Sequence, residues 1–88
     1  MQVEFLAKFS KDLEKIHPKS VKKNLSTLIL LIEVSENINR IPNIKKLAGH
    51  KNAFRIRMGD YRVGLFFENN KVLFARVLHR KDIYKVFP

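Results

Sequence analysis

At 88 residues, with 45% hydrophobic side chains and seven Phe, the chain has room for one domain spanning 1–88 and one compact core, which excludes a multidomain assembly. It contains no Cys, which excludes a disulfide framework and thiolate chemistry and suits a reducing cytosol. Eighteen Lys+Arg against eight Asp+Glu leave +10 at pH 7, so nucleic acid leads the expected partners; the plain alternative is a basic solubilising surface.

The excess is uneven: residues 45–88 hold eleven Lys/Arg and three acids, residues 1–44 seven and five. Met1–Phe5 runs directly into a charged amphipathic stretch, unlike a secretory leader. The longest apolar run, Leu28–Ile32, is too short to span a bilayer. A soluble, cytoplasmic protein with no membrane partner is therefore expected.

In chain order, Gln2–Phe5 reads as a short strand with Val3 and Phe5 on one face. Leu6, Phe9, Leu13 and Ile16 then recur three and four apart, one stripe of a helix, with Lys8, Lys11, Asp12, Glu14 and Lys15 around its wet side. His17-Pro18 ends that helix, because a residue before proline avoids the helical region. Pro18 suits the first turn of a second helix whose stripe, Val21, Leu25, Leu28, Ile29 and Ile32, is widened by Leu30 and Leu31 and runs to about Asn37. So short a break predicts an antiparallel helix hairpin. Ile38–Lys51 reads as a turn-rich connector with one helical turn around Asn43–Leu47.

Beyond the connector the period becomes two. Ala53–Met58 alternates Phe54, Ile56 and Met58 against Arg55 and Arg57; Tyr61–Glu68 alternates Val63, Leu65 and Phe67 against Arg62, Gly64 and Phe66. Lys71–His79 follows with Leu73, Ala75 and Val77 on one side and Phe74, Arg76 and Leu78 on the other. Gly59-Asp60 and Asn69-Asn70 supply the two turns, and Arg80–Pro88 reads as a short tail. The expected fold class is α+β: an N-terminal strand and two-helix hairpin packed on one face of a small antiparallel sheet whose other face stays open. The helices are expected over Ile56, Val63, Leu65 and Val77, leaving Arg55, Arg57, Arg62 and Arg76 together on the open face. Such mutual repulsion gives a structural protein nothing, but it suits a phosphate-binding surface.

The stretch Lys46-Leu47-Ala48-Gly49-His50-Lys51-Asn52-Ala53-Phe54-Arg55-Ile56-Arg57-Met58-Gly59-Asp60-Tyr61-Arg62-Val63 and the end His79-Arg80-Lys81-Asp82-Ile83-Tyr84 resemble the RelE/ParE superfamily of type II toxin–antitoxin toxins. Its members carry Lys-Leu-x-Gly, then Arg-Ile-Arg and Gly-Asp-Tyr-Arg, then a basic His-Arg-Lys-x-x-Tyr end. The match is close over the second half, while the helix hairpin fits by pattern alone. The resemblance implies a RelE-like toxin fold and a ribosome-dependent, metal-independent endoribonuclease that cleaves messenger RNA, leaves a 2′,3′-cyclic phosphate and inhibits translation. It also implies a cognate antitoxin as partner, the ribosome and its RNA as target, no cofactor, and a bacterial or archaeal cytoplasm. Two alternatives stay open: a ParE-like poison of DNA gyrase, and a non-catalytic nucleic-acid-binding module.

Carried onto this sequence, the resemblance gives catalytic positions to Arg57, Arg62, His79, Arg80 and Tyr84, and RNA-binding positions to Arg55, Arg76, Lys81 and Lys51. Several relatives have Lys where Arg55 and Arg57 stand. Arginine stays protonated and is a poor base, whereas an unperturbed His titrates near ~6.5, so His79 is the candidate for proton transfer beside an arginine-assisted route. Arg57 and Arg62 suit bidentate binding of phosphorane oxygens, and the Tyr84 phenol suits hydrogen bonding or stacking. Each has a structural alternative: His79 satisfied by backbone, Arg62 paired with Glu68 or Asp60, Arg55 and Arg76 solvated, Tyr84 packing the tail. His17 and His50 read as structural, Asp60 as a turn former, and Phe54, Phe66, Phe67 and Phe74 as packing. No His, Cys or acidic cluster has metal-ligand spacing. The added width at Leu28–Ile32 is core or a seat for an antitoxin helix.

Overall fold

The computed structural model describes residues 1–88. Strand β1 (Gln2–Phe5) is followed by helices α1 (Ala7–Glu14) and α2 (Lys19–Val34), a 3₁₀ turn (Ile38–Arg40) and strand β2 (Ile44–Lys46). Then come β3 (Ala53–Met58), β4 (Tyr61–Glu68), β5 (Lys71–His79) and helix α3 (Arg80–Val86). The sheet order is β1-β5-β4-β3-β2. The β2–β5 ladder is antiparallel throughout, as the two-residue turns joining β3, β4 and β5 require for those strands, while β1 pairs with β5 in parallel.

The hairpin turns follow local chemistry. Asn69 and Asn70 both hold positive φ, at 52° and 58°, and Gly59 sits at 63°, in the left-handed region that Gly and Asn tolerate. On the helix-facing side, Phe9, Ile16, Leu25 and Ile32 meet Phe54, Ile56, Val63, Leu65, Val72, Phe74 and Val77 in one core. The expected coverage of Ile56, Val63, Leu65 and Val77 by the helices is what forms. Burying each such side chain contributes about 1.5–3 kcal/mol, so this layer is the main source of stability. No helix is long and apolar enough to cross a membrane.

Five expectations are corrected. First, α2 stops at Val34 rather than near Asn37, because Ser35 is extended, and Pro18 caps the helix from outside its first turn. Second, the expected helical turn at Asn43–Leu47 is the edge strand β2: Asn43 is left-handed at φ 63°, which breaks a helix, and Ile44 pairs with Ile56. Third, β5 does not alternate evenly. A bulge opposite Gly64/Leu65 leaves Ala75 between the partners Phe74 and Arg76, so Phe74 joins the helix-side core with Val77 while Ala75 joins a second cluster.

Fourth, Asp12 is not on the wet side of its helix. It is 6% exposed, accepts the Val77 N–H at 3.1 Å and pairs with Arg76. With β1 finished at Phe5, that carboxylate satisfies an amide on the edge of β5. Fifth, the short tail expected at Arg80–Pro88 is a docked helix. Helix α3 packs Ile83, fully buried, and Phe87 onto the second sheet face with Leu47, Ala53 and Ala75. Gly64 is where this docking is tightest: a Cβ there would lie 2.8 Å from the Phe87 ring. The second face is thus half covered, and only its β2–β3–β4 side remains open.

Candidate nucleic-acid interface

Alternation along β3 and β4 sends Arg55, Arg57 and Arg62 to the face away from α1 and α2. The register sets Arg57 directly opposite Arg62 and Arg55 opposite Gly64. Like charges facing each other across a ladder are destabilising, so this pair is a cost to the fold. The three arginines line a cleft of about 200 Å³ with Asn43, Lys45 and Tyr84. Tyr84 arrives from α3, whose buried Ile83 and Phe87 fix the helix across the sheet.

Every guanidinium in the cleft is held by a neutral partner. The Arg55 Cζ lies 4.6 Å from the centre of the Tyr84 ring, a cation–π contact. Arg57 Nη2 donates to Asn43 Oδ1 at 3.3 Å. Arg62 Nη1 donates to the carbonyls of Gly59 at 2.7 Å and Tyr61 at 2.9 Å. None pairs with a carboxylate, since the ion pair of this chain joins Arg76 to Asp12. The cations are therefore positioned without being neutralised, the arrangement that stabilises charge developing on a bound anion. A larger depression of about 500 Å³ is lined by Ser35, Glu36, Asn37 and Arg40, but there one cation sits with one carboxylate. Charge, not size, singles out the arginine cleft.

Of the residues expected at the site, Arg55, Arg57, Arg62 and Tyr84 converge. Arg76 does not join them. The register keeps it on the same side, opposite Gly64, but its side chain is taken up by a two-pronged pair with Asp12, Nε–Oδ2 2.7 Å and Nη2–Oδ1 3.1 Å. That hydrogen bond, opposed by burial and reinforced by Coulomb attraction, raises the Arg76 pKa above the ordinary arginine value. The expectation that four arginines gather on the open face is corrected to three.

His79 also lies apart. It pairs with Tyr61 in the ladder and rests edge-on against that ring at 5.8 Å, on the helix-facing side. Its Nδ1 accepts the Lys81 N–H at 3.2 Å, capping α3. Arg80 and Lys81 are exposed in the first turn of α3, and Lys51 is exposed in the bend before β3; none lines the cleft. Arg62 pairs with neither Glu68 nor Asp60. Lys45 and Asn43 are the cleft residues that sequence reasoning missed. No apolar–polar alternation marks Ile44-Lys45-Lys46, so the sequence offers no signal for Lys45.

Comparison with known proteins gives a consistent picture. A family model described as the ParE toxin of the type II toxin–antitoxin system parDE matches residues 3–84. Toxin RelE3 of Methanocaldococcus jannaschii is 39% identical over 89 residues, covering 100% of both chains. The RelB–RelE antitoxin–toxin complex from Methanococcus jannaschii contains a chain that superposes with a TM-score of 0.82 at 38% identity, covering 96% of this chain and 98% of that one. A chain of the archaeal RelE–RelB complex from Pyrococcus horikoshii shares the fold at 20% identity, with a TM-score of 0.72 and coverage of 92% and 96%.

Proposed function

Because the chain belongs to the RelE/ParE superfamily and is a toxin of a type II toxin–antitoxin system, we propose that it inhibits translation by cutting messenger RNA on the ribosome. The observation that carries this reading is the cleft of three un-neutralised arginines beside an exposed tyrosine. The ribose 2′-hydroxyl attacks the adjacent phosphate, the P–O5′ bond breaks, and the products are a 2′,3′-cyclic phosphate and a 5′-hydroxyl. One proton leaves the 2′-oxygen and one reaches the 5′-oxygen. Arg57 and Arg62 bind the phosphorane oxygens, and Arg55 backs the Tyr84 ring while its exposed surface meets a base. Arg80, Lys81 and Lys51 contact the RNA backbone outside the cleft. The ribosome presents the strand in an in-line geometry.

The partner that silences it is a cognate antitoxin, as in the relatives solved with RelB. An acidic segment ordering on this basic surface neutralises the cleft or blocks access to the ribosome. The site of action is the cytoplasm, where translating ribosomes are. The test is single-turnover cleavage of a message on programmed ribosomes, with and without chelator, followed by analysis of the 3′ ends. A message left intact by protein that binds ribosomes and arrests growth overturns the reading. The ParE description of the matching family model supports a second reading, inhibition of DNA gyrase, which a supercoiling assay on the same preparation decides.

A further inference from the structure

Arg57 is held at both ends by one residue. Asn43 stands opposite Arg57, one step beyond the Ile44–Ile56 pair. Its main-chain carbonyl accepts the Arg57 N–H at 3.1 Å and its Oδ1 accepts from Arg57 Nη2 at 3.3 Å. It does so from a left-handed backbone, φ 63°, which Asn and Gly adopt more readily than other residues. The arginine it holds is exposed and faces Arg62 across the ladder. Left alone, so long a side chain would spread over many rotamers and swing away from the like charge. An acid at position 43 would hold it more firmly but cancel its charge. An amide holds it and leaves the charge available.

We propose that Asn43 is a positioning residue that presets the Arg57 guanidinium for the scissile phosphate, acting only through Arg57. Its effect on rate rests on the RNA-cleavage reading above; the tether itself does not. Asn43→Gly tests it, because glycine keeps the left-handed backbone and the main-chain carbonyl while removing the amide. Single-turnover cleavage on programmed ribosomes should fall by roughly 10- to 10²-fold with the half-saturating ribosome concentration unmoved, since misplacing a catalytic group acts on the chemical step. In an Arg57→Ala background the same change should cost nothing further. Asn43→Asp keeps the tether but neutralises the cation, so it should weaken RNA binding and lower the salt slope by about one. Side-chain NMR should find the Arg57 Nε–Hε group ordered in the unmodified protein and mobile in Asn43→Gly.

Undiminished loss from Asn43→Gly on top of Arg57→Ala, wild-type cleavage by Asn43→Gly, or an Arg57 side chain equally mobile in both proteins overturns the proposal. Should the unmodified protein cleave nothing, the cleavage reading fails with its kinetic consequence. An Arg57 side chain ordered only when Asn43 is present would then still uphold the tether.

Discussion

Asp12 and Arg76, 64 positions apart in sequence, meet in a two-pronged ion pair at 2.7 and 3.1 Å, with the same carboxylate accepting the Val77 amide. The pair fastens α1 to β5 where β1 has ended, and it removes one arginine from the group on the open sheet face. Asp12→Ala leaves Arg76 and an edge amide unpaired, so unfolding free energy should fall by about 2–4 kcal/mol, less than for a fully buried pair because Arg76 keeps some solvent. Asp12→Asn should cost less, since its amide oxygen still serves Val77. Urea midpoints at constant m-value measure both. Because the folded Arg76 pKa is raised, its contribution is fully present below the ordinary arginine range and is lost only as pH rises through the folded value. Wild-type and Arg76→Ala unfolding curves should therefore run parallel from about pH 6 to 9.

Arg62 serves both turn and cleft, through its bonds to the Gly59 and Tyr61 carbonyls. Arg62→Ala should lower single-turnover cleavage by ~10²–10³ as an electrostatic stabiliser is lost. The stability cost should be only about 1 kcal/mol, because the bonds are partly solvated. Arg62→Lys keeps charge but not the planar fork, and should recover RNA binding more than rate. A variant that binds and cuts like the unmodified protein would remove Arg62 from the site.

His79 has a structural occupation, capping α3 and resting on Tyr61. His79→Gln should therefore slow cleavage by less than about tenfold, against the ~10²–10⁴ expected of a proton-transfer group. Arg80→Ala, which removes an exposed cation from the proposed RNA path, should reduce the salt slope of ribosome binding by about one. A loss of rate in His79→Gln with α3 still ordered would return the histidine to the chemistry.

Gly64 is the seat of Phe87. A methyl at 64 would lie 2.8 to 2.9 Å from Cγ and both Cδ atoms of the Phe87 ring, so the ring must move away. Gly64→Ala should speed amide exchange across α3, leave β3–β5 protected, and lower RNA affinity by freeing Tyr84 from Arg55. Phe87→Ala should have the same effect on Tyr84. Unchanged exchange in α3 with normal binding would show that the C-terminal helix does not hold the tyrosine.

The α+β class, the helix stripes, four of the five strands and the arginine alternation were legible in the chain, because periods of 3.6 and 2 state which face a side chain takes before any partner is known. Arg55, Arg57 and Arg62 could be placed together for that reason alone. What failed depended on partners distant in sequence. Nothing near Asp12 shows that a bulge at Ala75 will bring Arg76 within reach of it, so the sequence pattern alone puts the carboxylate on the wet side of its helix and the arginine on the open sheet face. The edge strand at Ile44–Lys46 exists because β3 offers it a ladder, and the C-terminal helix because Gly64 leaves a place for Phe87. Periodicity fixes direction within an element, whereas pairing, bulges and docking are set by atoms that only the folded chain brings together.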